Sequence, residues 1–298
     1  MNKILTTITL VILTNFAIAQ TNYQKFISYT KAKDTTSIKK LLSNWESEKN
    51  IDAEFYVCAL NYYFDKSHIE IISIESQPKN DGKDAIIVTA KDGKEYFMNS
   101  NSAFDEKLLS KTISYATEGI KKFPNRLDLR FGKCYILKEM QDYKNFTTEL
   151  IQTIEYSQTN NNEWLWSENK KKENGKEFFL KTIYDYQAEL YNTNNDNLLN
   201  NIIEIGTKTI QYYPTEIETI SITAVAYTLQ NNFDKAIEYL KIAEKLNEKD
   251  YIVLGNIAQT YKRKGDKENA IKYFELYKKY GDNQAKEDAN KELNELKK

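Results

Sequence analysis

The chain repeats itself near its C-terminal end. Residues 227–248 read YTLQNNFDKAIEYLKIAEKLNE, and residues 261–282 read YKRKGDKENAIKYFELYKKYGD. In register, Ile220 falls on Leu254, Ala224 on Ala258, Tyr227 on Tyr261, Ala236 on Ala270 and Leu240 on Phe274, each pair 34 residues apart. A period of that length is the size of one helix–turn–helix unit. Such a unit cannot bury its apolar face alone, so it must stack on a neighbour. The alanines are small where two helices approach closely, and Tyr227, Tyr261, Leu240 and Phe274 fill the gaps beside them. Asn231-Asn232 and Gly265-Asp266 supply the turns between helices.

Composition agrees with helix throughout. Only 9 Gly and 3 Pro occur in 298 residues, which argues for long helices joined by short turns. Lys+Arg number 42 against 43 Asp+Glu, so no global charge draws the chain to nucleic acid or anionic lipid. With 41% hydrophobic and 29% charged residues it reads as globular and well solvated.

The last unit gives Leu254-x-x-Ile257-Ala258-x-x-Tyr261…Ala270-x-x-x-Phe274, and the one before gives Ile220-x-x-Thr223-Ala224-x-x-Tyr227…Ala236-x-x-x-Leu240. This resembles the tetratricopeptide (TPR) repeat. The resemblance implies an all-α chain, a right-handed α-solenoid of TPR-like hairpins, with about six units over residues 20–283. Earlier units are more worn. Phe55-x-x-Cys58-Ala59-x-x-Tyr62 fits the first-helix pattern. Ala188-x-x-Tyr191 fits as well, with Gln187 where an apolar residue is expected. Phe131-Gly132-x-x-Tyr135 fits in a register ambiguous by two residues, and Phe123-Pro124 and Tyr213-Pro214 match the helix-ending proline. Residues 22–51 form a degenerate first unit, with Phe26, Ile27, Ile38, Leu41, Leu42 and Trp45 facing inward. Residues 284–298 are the polar capping helix that a terminal repeat needs.

The N-terminus, MNKILTTITLVILTNFAIAQ, reads as a signal peptide over residues 1–19: Lys3, an apolar run, then Ala17-Ile18-Ala19. Cleavage after Ala19 would send the chain to a periplasm or outside the cell, with no integral membrane span left. Cys58 and Cys134 are too few for a disulfide framework, and each sits in an apolar helical run. Export leaves a bond between them open, beside the favoured reading as inert buried thiols.

Two segments interrupt the repeat. The second unit runs as one helix from about 52 to 64 and another from about 102 to 122, with a β insert at 67–101 between them. Ile69, Ile71, Ile72, Ile74 and then Ile86, Ile87, Val88 and Thr89 read as strands, and Asn80-Asp81-Gly82 and Asp92-Gly93 as hairpin turns. The expected product is a small three-stranded antiparallel sheet. It serves either as a flap covering the side of the solenoid, the favoured reading because a small sheet needs packing support, or as an edge that accepts a partner strand. The second interruption, 157–176, is a polar linker around Trp164, Leu165 and Trp166. Its tryptophans either pin the linker to the helices, the favoured reading, or form an aromatic lip for a ligand.

No catalytic signature is present. His68 is the lone histidine, which excludes a multi-His metal site, and no cysteine pair has zinc-ligand spacing. Phosphate-binding, dinucleotide-binding and nucleophile-elbow motifs are missing. The expected chain is therefore no enzyme and uses no cofactor or metal. TPR grooves hold extended peptides along their first helices. On those faces the sequence offers Tyr56, Tyr63 and Phe64 in unit two, Asp185 and Glu189 in unit four, and Gln259, Lys262 and Arg263 in the last unit. Ser221, Val225, Gly255 and Asn256 also fall on the comparable faces, without the Lys/Asn pattern of a carboxylate clamp. The leading expectation is a scaffold that holds a protein or peptide in a concave groove in the bacterial cell envelope. The alternative is a glycan- or small-ligand-binding protein using Trp164, Trp166 and the β insert, and an enzyme with an unrecognised site ranks third.

Overall fold

A computed structural model describes residues 20–77 and 86–297. The expected signal peptide and the Asn80-Asp81-Gly82 turn lie outside the described residues. The helices run as antiparallel pairs: α1 (Asn22–Lys31) with α2 (Thr35–Glu46), α3 (Ala53–Ser67) with α4 (Glu106–Lys122), and α5 (Leu127–Glu139) with α6 (Tyr143–Thr159). Then come α7 (Gly175–Asn192) with α8 (Leu199–Tyr212), α9 (Ile217–Leu229) with α10 (Phe233–Leu246), and α11 (Tyr251–Lys264) with α12 (Lys267–Tyr280). A final helix, α13 (Asn283–Leu296), packs on α12. Each pair touches the next, and the fold is an α-solenoid of TPR-like hairpins.

One local device builds most of the hairpins. A residue in the left-handed region precedes an Asp or Asn N-cap at Lys33-Asp34, Gln141-Asp142, Asn194-Asn195, Asn231-Asn232 and Gly265-Asp266. The left-handed residue reverses the chain, and the cap's side-chain oxygen accepts a first-turn N–H of the next helix. In the fourth unit that cap opens a short 3-10 turn that feeds α8.

The cap also sets the register of the helix before it. Ala224 and Ala258 each lie eight residues before their caps and are completely buried. At the same offset stand Phe26, Cys134 and Gln187, all buried. The third unit therefore takes its contact residue from Cys134, two residues beyond Gly132, and Tyr135 is left 45% exposed. The fourth takes it from Gln187, one residue before Ala188, and Tyr191 is left 41% exposed. Gln187 is tolerated at this apolar position because its Nε2 donates to the Ile202 carbonyl at 3.0 Å.

The β insert differs from the sequence reading in three respects. Its strands are β1 (His68–Glu75), β2 (Ile86–Thr89) and β3 (Glu95–Phe104), in the order β1-β3-β2. The first two strands do not pair, so no simple hairpin joins them. The third strand extends to Phe104, and α4 begins at Glu106 because Asp105 caps it, accepting from the Leu108 N–H at 2.9 Å. Nor is the sheet a flap over the solenoid: Ile69, Ile71, Ile72, Ile74, Ile86, Ile87 and Val88 are all exposed. The sheet is tied to the helices at its base, where His68 and Phe104 pack against Phe64 at the end of α3.

The linker is tied down more firmly. Trp164 is completely buried between Tyr156 and Phe179, inside the core shared by the third and fourth hairpins. Two short strands, β4 (Leu165–Trp166) and β5 (Lys170–Lys171), pair across a tight 3-10 turn.

Close packing between hairpins is sharpest at Gly206 in α8, where an added Cβ would lie 1.8 Å from Thr223 Oγ1 and 2.8 Å from Gln187 Nε2. Alanine at a helical glycine ordinarily stabilises by up to about 1 kcal/mol. Here overpacking of about 1–3 kcal/mol outweighs that gain, so Gly206→Ala is expected to lower the urea midpoint. The Gly206→Ala/Thr223→Ala double variant is expected to recover much of the loss. A Gly206→Ala midpoint at or above the native one would contradict this packing.

Candidate functional site

The residues singled out from the sequence do not gather into one groove. Tyr56 is buried, and its hydroxyl donates to Glu118 and accepts from Lys122. Tyr63 stacks on Tyr115 with Lys111 over its ring, and Phe64 belongs to the cluster at the base of the sheet. Asp185 pairs with Lys181, and Glu189 with Lys138 of α5. Gln259 and Lys262 both donate to Glu292 of α13, and Lys262 also reaches Glu295 at 3.0 Å. Arg263 is exposed. Apart from Asp185, paired within its own helix, and Arg263, these side chains hold elements of the fold to one another, and a first-helix pattern read from sequence does not separate that duty from ligand contact. Trp164 is sealed in the core, which removes it from any aromatic lip, and Trp166 packs edge-on against Phe178 under Lys172.

A groove does exist, one hairpin pair further along. Its central hollow, of about 430 Å3, is lined by Tyr184, Ala188 and Tyr191 of α7, Ser221, Ile222 and Val225 of α9, and Ile252 and Asn256 of α11. It is continuous at both ends. Tyr184 and Glu218 also line a second hollow toward Lys176, Glu177, Lys181 and Glu216. Ile252 and Asn256 also line a third, toward Gln259, Lys291 and Glu292. Aliphatic and tyrosine side chains make up most of the floor, with Glu218, Asp250 and the Ser221–Asn256 pair among them, and the ends carry both signs of charge. Burial raises the Glu216 carboxyl above its ordinary value, against the opposing pull of Lys176. Asn256 Nδ2 donates to Ser221 Oγ at 2.9 Å, which ties α9 to α11 within the floor.

Sequence reading places Ser221, Val225 and Asn256 on this face but does not find Tyr184, Tyr191 or Ile252. It sets Tyr191 in the repeat pattern, three residues after Ala188, at the position of Tyr227 and Tyr261. The signal that corrects it is Asn195, whose cap position fixes Gln187 as the contact residue and turns Tyr191 outward.

A buried cluster of titratable groups lies elsewhere. Arg126, completely buried, reaches Glu54 at 2.5 Å and takes both Asp128 oxygens, at 2.9 and 2.7 Å. Asn169 and the Glu168 backbone N–H complete it from the linker. Burial alone would lower the Arg126 pKa, but the two carboxylates outweigh it and raise it. The guanidinium stays charged and is saturated by its own chain, so it joins α3, α5 and the linker rather than acting on a substrate. Cys58 and Cys134 are free thiols whose pKa values burial pushes well up, which makes them poor nucleophiles. Among the described residues no group of three or more His, Cys, Asp or Glu is placed to hold a metal ion, and no helix is long and apolar enough to cross a membrane.

Cap-set hairpins stacked in series, with a groove along their first helices, make this a TPR-like helical-repeat protein. No family model matches the chain, and no curated protein matches it. Solved structures of similar fold include YrrB, a TPR protein with an unusual peptide-binding site. It is 12% identical over 62% of this chain and 85% of that one, with a TM-score of 0.40. MamA from Desulfovibrio magneticus RS-1 is 14% identical over 59% and 86%, with a TM-score of 0.36. PilW, a widely conserved type IV pilus biogenesis factor, is 14% identical over 59% and 71%, with a TM-score of 0.34. The hairpin geometry given above stands on this chain's own contacts.

The contacts of α13 generate a test. Burial alone would raise the Glu292 carboxyl, but hydrogen bonds from Lys262 and Gln259 outweigh it and hold it below its ordinary value. A depressed carboxyl contributes stability that is present above its unfolded pKa and lost as pH falls through the folded one. Hydrogen exchange in α13 is therefore expected to quicken as pH drops through the acidic carboxylate range, after correction for the intrinsic rate. Lys262→Glu should loosen α13 by about 1 kcal/mol already at neutral pH. Unchanged α13 protection in that variant would show that the pairing contributes nothing.

Proposed function

We propose that this protein is a non-enzymatic scaffold that holds a segment of another polypeptide in the groove along α7, α9 and α11. The carrying observation is the continuity of that groove: a largely apolar floor bearing two outward-facing residues, Tyr191 and Ile252, between ends of mixed charge. Large apolar side chains facing solvent in a concave site mark a place of recognition rather than of folding. The chemistry available is apolar contact, tyrosine hydroxyls and carboxylate–lysine pairing, which suits an amphipathic peptide and gives no means of bond making. The signal-peptide pattern of residues 1–19 supports a scaffold that works in the cell envelope or outside the cell.

A random peptide display library panned against the protein tests the groove. Recovered peptides are expected to carry an apolar centre flanked by charge. Their affinity is expected to fall at least tenfold, about 1.4 kcal/mol, in Ile252→Glu. It should be unchanged in Ile242→Glu, at an exposed position of α10 outside the groove. Equal loss in both variants, or in neither, would sink the assignment.

A further inference from the structure

The β insert carries an apolar surface that the groove does not explain. Directly opposed residues on neighbouring strands share a face. Ile74 opposes Met98, which opposes Ile86, so these three form one row across the sheet. Val88 opposes Tyr96 on the same face, and Ile72 follows two residues before Ile74. Ile72, Ile74 and Ile86 are 62%, 61% and 65% exposed. The other face carries Ile69, Ile71 and Ile87, with Phe97. A sheet apolar on both sides has the pattern of a buried strand layer, yet these side chains lie in solvent.

Two occupants fit poorly. A lipid surface would have to take in the edges of a short open sheet, an arrangement that does not occur in hydrocarbon. A charged partner finds little to select it, because among the described strand residues the face with the Ile74–Met98–Ile86 row offers no lysine, arginine or aspartate; Glu70 stands at the base of the sheet, and Lys94, paired with Asp92, at the turn beyond Tyr96. The face does fit itself. A two-fold arrangement lays one row of Ile74, Met98 and Ile86 across its copy, apolar on apolar. Covering Ile72, Ile74, Ile86, Val88, Met98 and Tyr96 removes on the order of 500 Å2 per copy, between an ordinary monomer patch and the roughly 800 Å2 per partner of a stable complex. The three aliphatic side chains of the other face then make a patch of a size monomers commonly carry.

We infer that the insert is a self-association surface, through which two copies of this chain pack sheet on sheet about a two-fold axis by the face of Ile72, Ile74, Ile86 and Val88. The stacking leaves the α7–α9–α11 groove of each copy open, because the insert leaves the solenoid between α3 and α4. The dimer is of the weak, concentration-dependent kind, and it presents two grooves to one partner.

Sedimentation velocity across a series from low to several hundred micromolar tests this. The native protein is expected to pass from monomer to dimer. Ile74→Lys and Val88→Lys should each weaken dimerisation at least tenfold, because a two-fold axis brings each lysine toward its copy. Ile71→Lys, on the other face, should dimerise as the native protein does. All three side chains are exposed in the monomer, so thermal melting of the variants at low concentration should match the native curve. A native protein monomeric across the whole series would overturn the inference. So would Ile71→Lys weakening the dimer as much as Ile74→Lys does.

Discussion

Everything in this molecule follows from how closely the two helices of each hairpin approach. The contact residue, eight positions before the cap, is alanine in the fifth and sixth units and cysteine or glutamine in the third and fourth. Once that residue faces its partner helix, helical periodicity fixes where every other side chain of the first helix points. In α7 it turns Ile183, Tyr186 and Leu190 into the core and Tyr184 and Tyr191 out of it. In α9 and α11 it buries Ile220, Ala224, Leu254 and Ala258 and leaves Val225 and Ile252 in the groove. The groove is thus a by-product of packing: it is the face the core does not use. Its composition is free to vary, since the core does not constrain it.

The sequence is legible where the packing residue and the turn residue agree. In the last two units alanine and the Asx cap both appear at their places, and the helix boundaries follow. In the third and fourth units they conflict. Gly132 and Ala188 look like contact residues because they are small, while the caps at Asp142 and Asn195 place Cys134 and Gln187 there. The cap is the better guide, because a left-handed residue followed by an N-cap is a local backbone requirement. A small residue is only permissive, since a long side chain such as Gln187 also fits when its amide finds a carbonyl. A one-residue shift in α7 is enough to exchange Tyr191 between the packing pattern and the groove.

The insert was legible as strands and not as a surface. β-Branched residues announced the strands, but pairing order depends on which edges meet in space, and β3 lies between the other two. Exposure was hidden for a related reason. Alternation of apolar and polar residues tells which face is wet, and Ile71-Ile72 and Ile86-Ile87 alternate with nothing. Such runs ordinarily mean burial on both sides. The Trp164 linker is the reverse case: its surroundings are polar, yet a tryptophan is costly to leave wet, and the indole fills the third and fourth hairpins' shared core, in line with the favoured reading of a pinned linker.

Ion pairs join the hairpins on either side of the groove. Lys138 of α5 reaches Glu189 of α7 at 2.5 Å, and Lys262 of α11 is held by Glu292 and Glu295 of α13. Lys138 and Glu189 line none of the three hollows, so that pair stands outside the groove. Glu292 does line the hollow beside α13, so there one carboxylate belongs both to the packing of α13 on α11 and to the groove wall. Opening that end would cost the contact that holds the last helix in place.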